Sequence, residues 1–211
     1  MHQTSTVNGI VEDGNFIREV TTTLVLPEFQ DGRGQLYVYL GMMTTTGDYV
    51  QACAGSDRTL NVAHEYLHKW NCDVFVNPGP KRGKSREVPG GPAVPGDLMT
   101  SHYVYDDSTG AYTQTNSVNG VVLATLTKAS GYGHSLQFNS ECLTFKFGKP
   151  TCGTVPARKW INTTVILDKA DPDFGDFGSD PGVSGKFVSS QGGKVWTMAE
   201  LDMEASSSYM Y

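Results

Sequence analysis

Two histidines and a glutamate at metal-site spacing are the first residues of this chain that could do chemistry. His64, Glu65 and His68 match the pattern H-E-x-x-H, which binds zinc when a helix places both histidines on one face. The surrounding residues alternate as a strand does, and no third ligand is evident, so we expect neither a metal nor another cofactor. In a strand the histidines still share a face, where they could carry protons or donate hydrogen bonds.

A hairpin before these histidines carries a second group of polar candidates. Residues 35–53 are expected to form two strands joined by a Thr/Gly turn. Alternation places Tyr37, Tyr39, Gly41 and Met43 on one face of the first strand, and Tyr49, Gln51 and Cys53 on one face of the second. Such a face suits a binding surface, but an amphipathic hairpin that turns Tyr and Gln toward water explains it equally well.

Most of the chain has the pattern of an all-β protein. Runs rich in Val, Thr and Tyr alternate with Gly, Pro and Asp turns, which predicts about a dozen strands in an antiparallel two-sheet β-sandwich. We expect a flexible lead-in over residues 1–15 and one domain over residues 16–211. Residues 60–76 are predicted to form one long strand that presents His64, Tyr66, His68 and Trp70 on a single face. Residues 77–97 are predicted to be irregular, either a solvated loop or a lid.

Charge and hydropathy exclude several partners. The formal net charge of −6 argues against a nucleic-acid backbone as ligand, since phosphate binding needs a basic surface. No apolar run reaches the roughly 20 residues of a membrane-spanning helix. The oligomeric state stays open, with a homodimer as one option.

Four cysteines and one sequon indicate a secretory or extracellular location. Four cysteines allow three pairings, and we favour the two that close short loops, Cys53–Cys72 and Cys142–Cys152. Four reduced, buried cysteines are the alternative, so a cytoplasmic location stays open. Asn162 begins an N-x-T sequon and is a candidate glycosylation site. No leader is visible, so the sequence is expected to begin after one.

The order of elements resembles the fungal glutamic peptidases (eqolisins). That family shows Val-Pro, Trp-Val-Gly-Ile-Asp, Ile-Leu-Gln-Thr-Gly and Ala-Glu-(Trp/Phe)-Ile-(Ile/Val)-Glu-Asp. The corresponding stretches here are 26–27, 39–43, 49–53 and 158–163. The resemblance implies a jelly-roll sandwich like that of concanavalin-type lectins.

The same resemblance implies a changed catalytic centre. The family works with a Gln–Glu pair, in which the glutamate activates water and the glutamine holds the oxyanion. Gln51 falls on the glutamine, whereas Thr163 and Lys159 fall on the two glutamate positions of the last motif. A threonine hydroxyl cannot act as a general base at neutral or acid pH, so in this alignment peptide hydrolysis is lost.

The chain as a whole is also similar to fungal hetero-Diels–Alderases of tropolonic sesquiterpene biosynthesis. That similarity implies dehydration of a tropolone alcohol to an ortho-quinone methide, followed by cycloaddition to a humulene-type alkene. An apolar small-molecule substrate would then contact two sets of side chains. The polar set is Gln51, His64, His68, Lys159 and Thr163. The aromatic set that could stack on it is Tyr37, Tyr39, Tyr49, Tyr66, Trp70 and Trp160. The alternatives are a lectin-like binding module for carbohydrates or small molecules and an acid endopeptidase.

Overall fold

The computed structural model describes residues 2–32, 34–57, 69–79, 83–143, 152–179 and 181–207. Within these ranges the regular structure consists of β-strands and a single 3-10 turn, Gln191–Gly193. The strands are β1 (His2–Ile10), β2 (Ile17–Val25), β3 (Gln35–Thr44), β4 (Tyr49–Asp57), β5 (Trp70–Asn77), β6 (Arg86–Ala93), β7 (Leu98–Asp106), β8 (Ala111–Val118), β9 (Val121–Lys128), β10 (Gly133–Leu143), β11 (Thr154–Val155), β12 (Arg158–Leu167), β13 (Gly178–Ser179), β14 (Val183–Gly185), β15 (Val188–Ser190), β16 (Val195–Met203) and β17 (Ser206–Ser207).

The strands form two antiparallel layers. Sheet A has the order β9-β8-β7-β2-β12-β16, with β14 and β15 paired to the far side of β16. Sheet B has the order β6-β5-β4-β3-β10-β1-β13. The two layers are hydrogen-bonded to each other at one corner, where Gly133 of β10 pairs with Ile17 of β2. The predicted antiparallel β-sandwich is therefore confirmed.

Side chains from sheet A reach across the core to the backbone of sheet B. The hydroxyl of Tyr103 donates to the carbonyl of Leu40 at 2.7 Å, and the amide of Gln114 donates to the carbonyl of Phe75 at 2.9 Å. The rings of Trp160 and Phe138 meet edge to face, with centroids 5.3 Å apart. These contacts hold the inner face of sheet B, so its other face is free to form a site.

Two segments that the sequence predicted to be irregular are strands. Residues 2–10 form β1, which pairs along most of its length with β10 instead of forming a flexible lead-in. Residues 86–93 form β6, the edge strand of sheet B, within the stretch expected to be a loop. Proline lacks the N–H that a central strand needs, but an edge strand tolerates Pro89 and Pro92.

One of the two predicted disulfides is present. Cys142 and Cys152 are bonded, with their Cα atoms 6.0 Å apart. Cys53 and Cys72 are free, buried thiols, so that pairing was wrong. Cys53 lies opposite Asp73, and Cys72 lies opposite Ala54. Successive side chains of a strand alternate between faces, so the two thiols point to opposite sides of sheet B and cannot meet.

The described part of the chain contains no helix long and apolar enough to cross a membrane.

Candidate functional site

A cleft lies on the face of sheet B that points away from the core. It comprises two cavities of about 500 and 240 Å³, and the larger one is within the size range of small-ligand sites. Tyr39, Gln51, Asn77 and Glu141 line both cavities. The other lining residues are Tyr37, Met43, Tyr49, Cys53, Phe75, Gln137 and Leu143.

Strand register explains why these side chains face the cleft together. Gln51 pairs with Gly41 on β3 and with Phe75 on β5, and Gly41 in turn pairs with Gln137 on β10. This is the hairpin face predicted from alternation. Glu141 lies four residues further along β10, opposite Tyr37, which displaces it by about 13 Å along the strand. The long side chains of Gln51 and Glu141 nevertheless border the same cavities.

A chain of hydrogen bonds fixes the orientation of the Gln51 amide. The hydroxyl of Ser85 donates to Asn77 Oδ1 at 2.9 Å, and Asn77 Nδ2 donates to Gln51 Oε1 at 2.6 Å. The carbonyl of the Gln51 side chain is thereby used, and its Nε2 is left to donate into the cleft. Gln51 is only 7% exposed, so this donor is held in a nearly water-free setting.

A second amide is oriented in the same way at the other side of the cleft. The hydroxyl of Tyr49 donates to Gln137 Oε1 at 2.6 Å. The Tyr49 hydroxyl lies where a side chain at position 41 would stand, so Gly41 is required for this contact. The rings of Tyr39 and Tyr49 pack edge to face at 6.2 Å and form an aromatic wall.

Glu141 supplies a carboxyl group to the cleft. Burial raises its pKa above the ordinary value for glutamate. Its Oε1 is enclosed and has no hydrogen-bond partner among the described residues. A half-buried carboxyl with a raised pKa beside a cleft is a candidate for proton exchange with a ligand.

Three carboxyl groups surround a protonated thiol in this part of the sheet. Burial raises the pKa of Cys53, and the negative charges of Asp73, Glu141 and Glu87 raise it further. The thiol therefore stays protonated and is a poor nucleophile. The described residues contain no group of three or more His, Cys, Asp or Glu side chains able to hold a metal ion.

The structure separates several of the predicted site residues from Gln51. Lys159, Trp160 and Thr163 belong to β12, in sheet A. The Trp160 side chain is in the core, and the Thr163 hydroxyl is buried 2.7 Å from that of Thr22. The position assigned to the family's glutamate thus lies in the opposite layer from the cleft.

The remaining predictions are distributed as follows. Trp70 is fully buried and donates from Nε1 to the carbonyl of Pro27, so it belongs to the core and not to the predicted binding face. His64, Tyr66 and His68 lie outside the described residues. Asn162 is exposed at an irregularity of β12, where its φ of 54° interrupts the pairing with β2, and its glycosylation stays a prediction.

Sequence reasoning missed Glu141, Gln137 and Asn77. A weak signal for the first two was present, because residues 137–141 match the pattern Glu-(Trp/Phe)-x-x-Glu at Phe138 and Glu141, with Gln137 in place of the first glutamate. These residues are on β10, beside the hairpin that carries Gln51. β10 thus brings a glutamate to the layer that carries Gln51, whereas residues 158–163 lie in the opposite layer.

Comparisons with known proteins support the fold. No family model and no curated protein matches the chain. Among solved structures, a scytalido-glutamic peptidase with a peptide-based transition-state analogue is similar at a TM-score of 0.56 and 12% identity, over 93% of this chain and 97% of that one. SCP-B, a member of the eqolisin family of peptidases in complex with the tripeptide Ala-Ile-His, is similar at 0.54 and 12%, with the same coverage. At such identities the likeness shows the fold alone, and the chain thus shares the β-sandwich of the eqolisin peptidases.

Proposed function

We propose that the protein is a hydrolase that cleaves peptide bonds in the cleft, with Glu141 as general base and acid and Gln51 as oxyanion donor. The observation that carries this proposal is the half-buried Glu141 carboxyl, which lines the same two cavities as the oriented Gln51 amide. The eqolisin peptidases of similar fold support peptides as the substrate class.

The reaction follows from the two side chains. The Glu141 carboxylate takes a proton from a water molecule, whose oxygen forms a bond to the carbonyl carbon of the substrate. The carbonyl oxygen becomes negatively charged and accepts a hydrogen bond from Gln51 Nε2–H. Glu141 then gives its proton to the peptide nitrogen, the C–N bond breaks, and a carboxylic acid and an amine leave.

The setting of Glu141 suits both of its roles. Because burial raises its pKa, the carboxyl binds a proton more readily than an ordinary glutamate does, which favours protonation of the leaving amine. The same shift moves the acid limit of activity upward, since the carboxylate needed to activate water is lost at a higher pH.

A digestion experiment tests the proposal. Denatured protein is incubated with the wild type and with Glu141→Gln between pH 2 and pH 8, and the new termini are identified by mass spectrometry. We expect cleavage by the wild type and by the charge-matched control Glu200→Gln on the opposite sheet, and none by Glu141→Gln. The absence of new termini at every pH would contradict hydrolysis.

A second candidate is the hetero-Diels–Alder cyclisation implied by the overall similarity of the chain. The pairing of Gln51 with the neutral Gln137 across Gly41 favours it, because a pericyclic step needs aromatic walls and oriented donors but no carboxylate. Purified protein, the tropolone alcohol and the humulene-type alkene provide the test. Faster, stereoselective cycloaddition that persists in Glu141→Gln would support this candidate, and a rate equal to that in buffer would exclude it.

A further inference from the structure

A pair of acidic side chains lies beside the cleft, next to the oxyanion donor. In the register of sheet B, Gln51 pairs with Phe75 on β5, and Phe75 pairs with Glu87 on β6. The three side chains therefore follow one another across the same face, at intervals of about 4.8 Å. Asp73 is two residues before Phe75 on β5 and faces the same way.

These carboxyl groups are close enough for the charge of Asp73 to act on Glu87. Neither Asp73 nor Glu87 makes an ion pair within the described residues. Burial raises the pKa of Glu87, and the charge of Asp73 raises it further. Burial also raises the pKa of Asp73, although one of its oxygens accepts the N–H of Gly90 at 2.8 Å. Both raised pKa values indicate that negative charge is unfavourable at these two carboxyl groups. A bound cation would stabilise that charge.

The surface between Gln51 and these carboxyl groups is apolar and open to a ligand. Phe75 is partly exposed and lines the 240 Å³ cavity together with Cys53, Leu143 and Gln51. Gln51 is 7% exposed and directs its unused N–H into that cavity. A ligand bound there has a polar anchor at Gln51, an aromatic surface at Phe75 and negative charge at the far side.

We propose that Phe75, Asp73 and Glu87 form a subsite for a positively charged side chain, which makes arginine- or lysine-containing peptides the preferred substrates. This inference rests on the proposed function. A carbonyl placed at Gln51 brings a neighbouring side chain over Phe75. The methylene stem of lysine or arginine packs on the ring while the charged end reaches Glu87 and Asp73.

Binding of matched peptides tests this subsite without requiring turnover. The probe is a short acetylated peptide with one arginine, compared with the same peptide containing citrulline, the neutral isostere of arginine. The Glu141→Gln variant binds but is expected not to cleave, so calorimetry can be performed with it. We expect arginine to bind about tenfold more tightly than citrulline.

Two variants in the Glu141→Gln background assign the preference to the subsite. Glu87 is exposed on an edge strand, so Glu87→Gln should fold and should reduce the arginine preference to about threefold or less. Glu87→Lys should favour citrulline over arginine. The charge-matched control Glu200→Gln, on sheet A, should retain the full preference.

The outcomes separate the subsite from the proposed chemistry. Arginine preference in binding, together with no cleavage by the wild type, would retain the subsite and reject the hydrolase. Equal binding of both peptides would reject the subsite, even when the wild type cleaves peptides. A preference that survives Glu87→Lys would equally reject the subsite.

Discussion

The charged groups on the outer faces of the two sheets differ in how fully they are paired. On sheet A, the Lys159 ammonium lies 2.8 Å from Glu200 and 3.3 Å from Asp202, and these contacts raise its pKa. On sheet B, Glu141 has an oxygen without a hydrogen-bond partner among the described residues, and burial raises the pKa of this carboxyl. Both shifts are upward, but the first favours the charged form of its group and the second disfavours it.

This difference separates a structural charge from one that is available for chemistry. The Lys159 ammonium is paired with two carboxylates, so its charge is balanced without a ligand. Glu141 makes no ion pair within the described residues, and burial disfavours its charged form. The sequence indicated Lys159 as a candidate site residue. Its ion pairs on sheet A favour the cleft on sheet B as the candidate site instead. The following predictions test that contrast, from the largest expected effect to the smallest.

Glu141→Gln should cause the largest loss. Removing the only group assigned to proton transfer is expected to lower kcat/KM by about a thousandfold, within the usual range for general acid–base catalysis. Initial rates on a peptide cleaved by the wild type provide the measurement. A variant within twofold of the wild type would exclude Glu141 from the reaction.

Gln51→Leu should lower kcat by about a hundredfold with a smaller change in KM. The reason is that the Gln51 N–H bonds most strongly to the negatively charged oxygen of the transition state. Steady-state kinetics separate kcat from KM, and circular dichroism verifies the fold. A rise in KM alone would indicate that Gln51 only binds substrate.

Asn77→Ala should lower kcat by about tenfold, because Asn77 affects the reaction through its hydrogen bond to Gln51. Without the bond from Asn77 Nδ2, the Gln51 amide is free to rotate, and its donor is correctly placed for part of the time only. The double variant with Gln51→Leu should be no slower than Gln51→Leu alone. Additive losses would show that Asn77 acts independently of Gln51.

The stability of the wild type and Glu141→Gln should diverge as the pH rises. The fold favours the protonated carboxyl, so this contribution is fully present below the ordinary pKa of glutamate and is lost as the pH passes the raised pKa. Glutamine does not ionise, so the variant should gain in relative unfolding free energy between pH 4 and pH 7. Urea titrations at several pH values measure this slope, and a slope of opposite sign would show that the charged form is the stabilised one.

Lys159→Met should have the smallest effect. Its ion pairs lie on the exposed face of sheet A, where water screens them, and its side chain does not border the cleft. Activity and the arginine preference should equal those of the wild type. A loss of activity at constant stability would restore Lys159 as a site residue.

The parts of the site that depend on local pattern could be predicted, and the parts that depend on long-range pairing could not. Alternation in residues 35–53 placed Tyr39, Gln51 and Cys53 on one face because a hairpin sets its own register. The strand that completes the site, β10, pairs with β3 from about a hundred positions away. No local feature distinguishes β10 from β12, which also contains a buried aromatic residue, so the sequence could not tell which of the two strands lies beside Gln51.

A similar limit explains the errors at Trp70 and at the N-terminus. Trp70 was assigned to a face by continuing alternation through residues 60–76, whereas β5 begins at Trp70 and turns that ring into the core. Residues 2–10 carry few aliphatic side chains, so their composition does not predict a strand. They form one because β10 offers them an unpaired edge.

Two glycines in the floor of the cleft set its depth. Rings occupy the space that side chains at positions 41 and 55 would take, that of Tyr49 at Gly41 and that of Tyr37 at Gly55. Each ring can therefore lie close against the backbone of the sheet, which leaves room above it for a ligand. Alanine at either glycine would push the ring away from the sheet and make the cleft shallower.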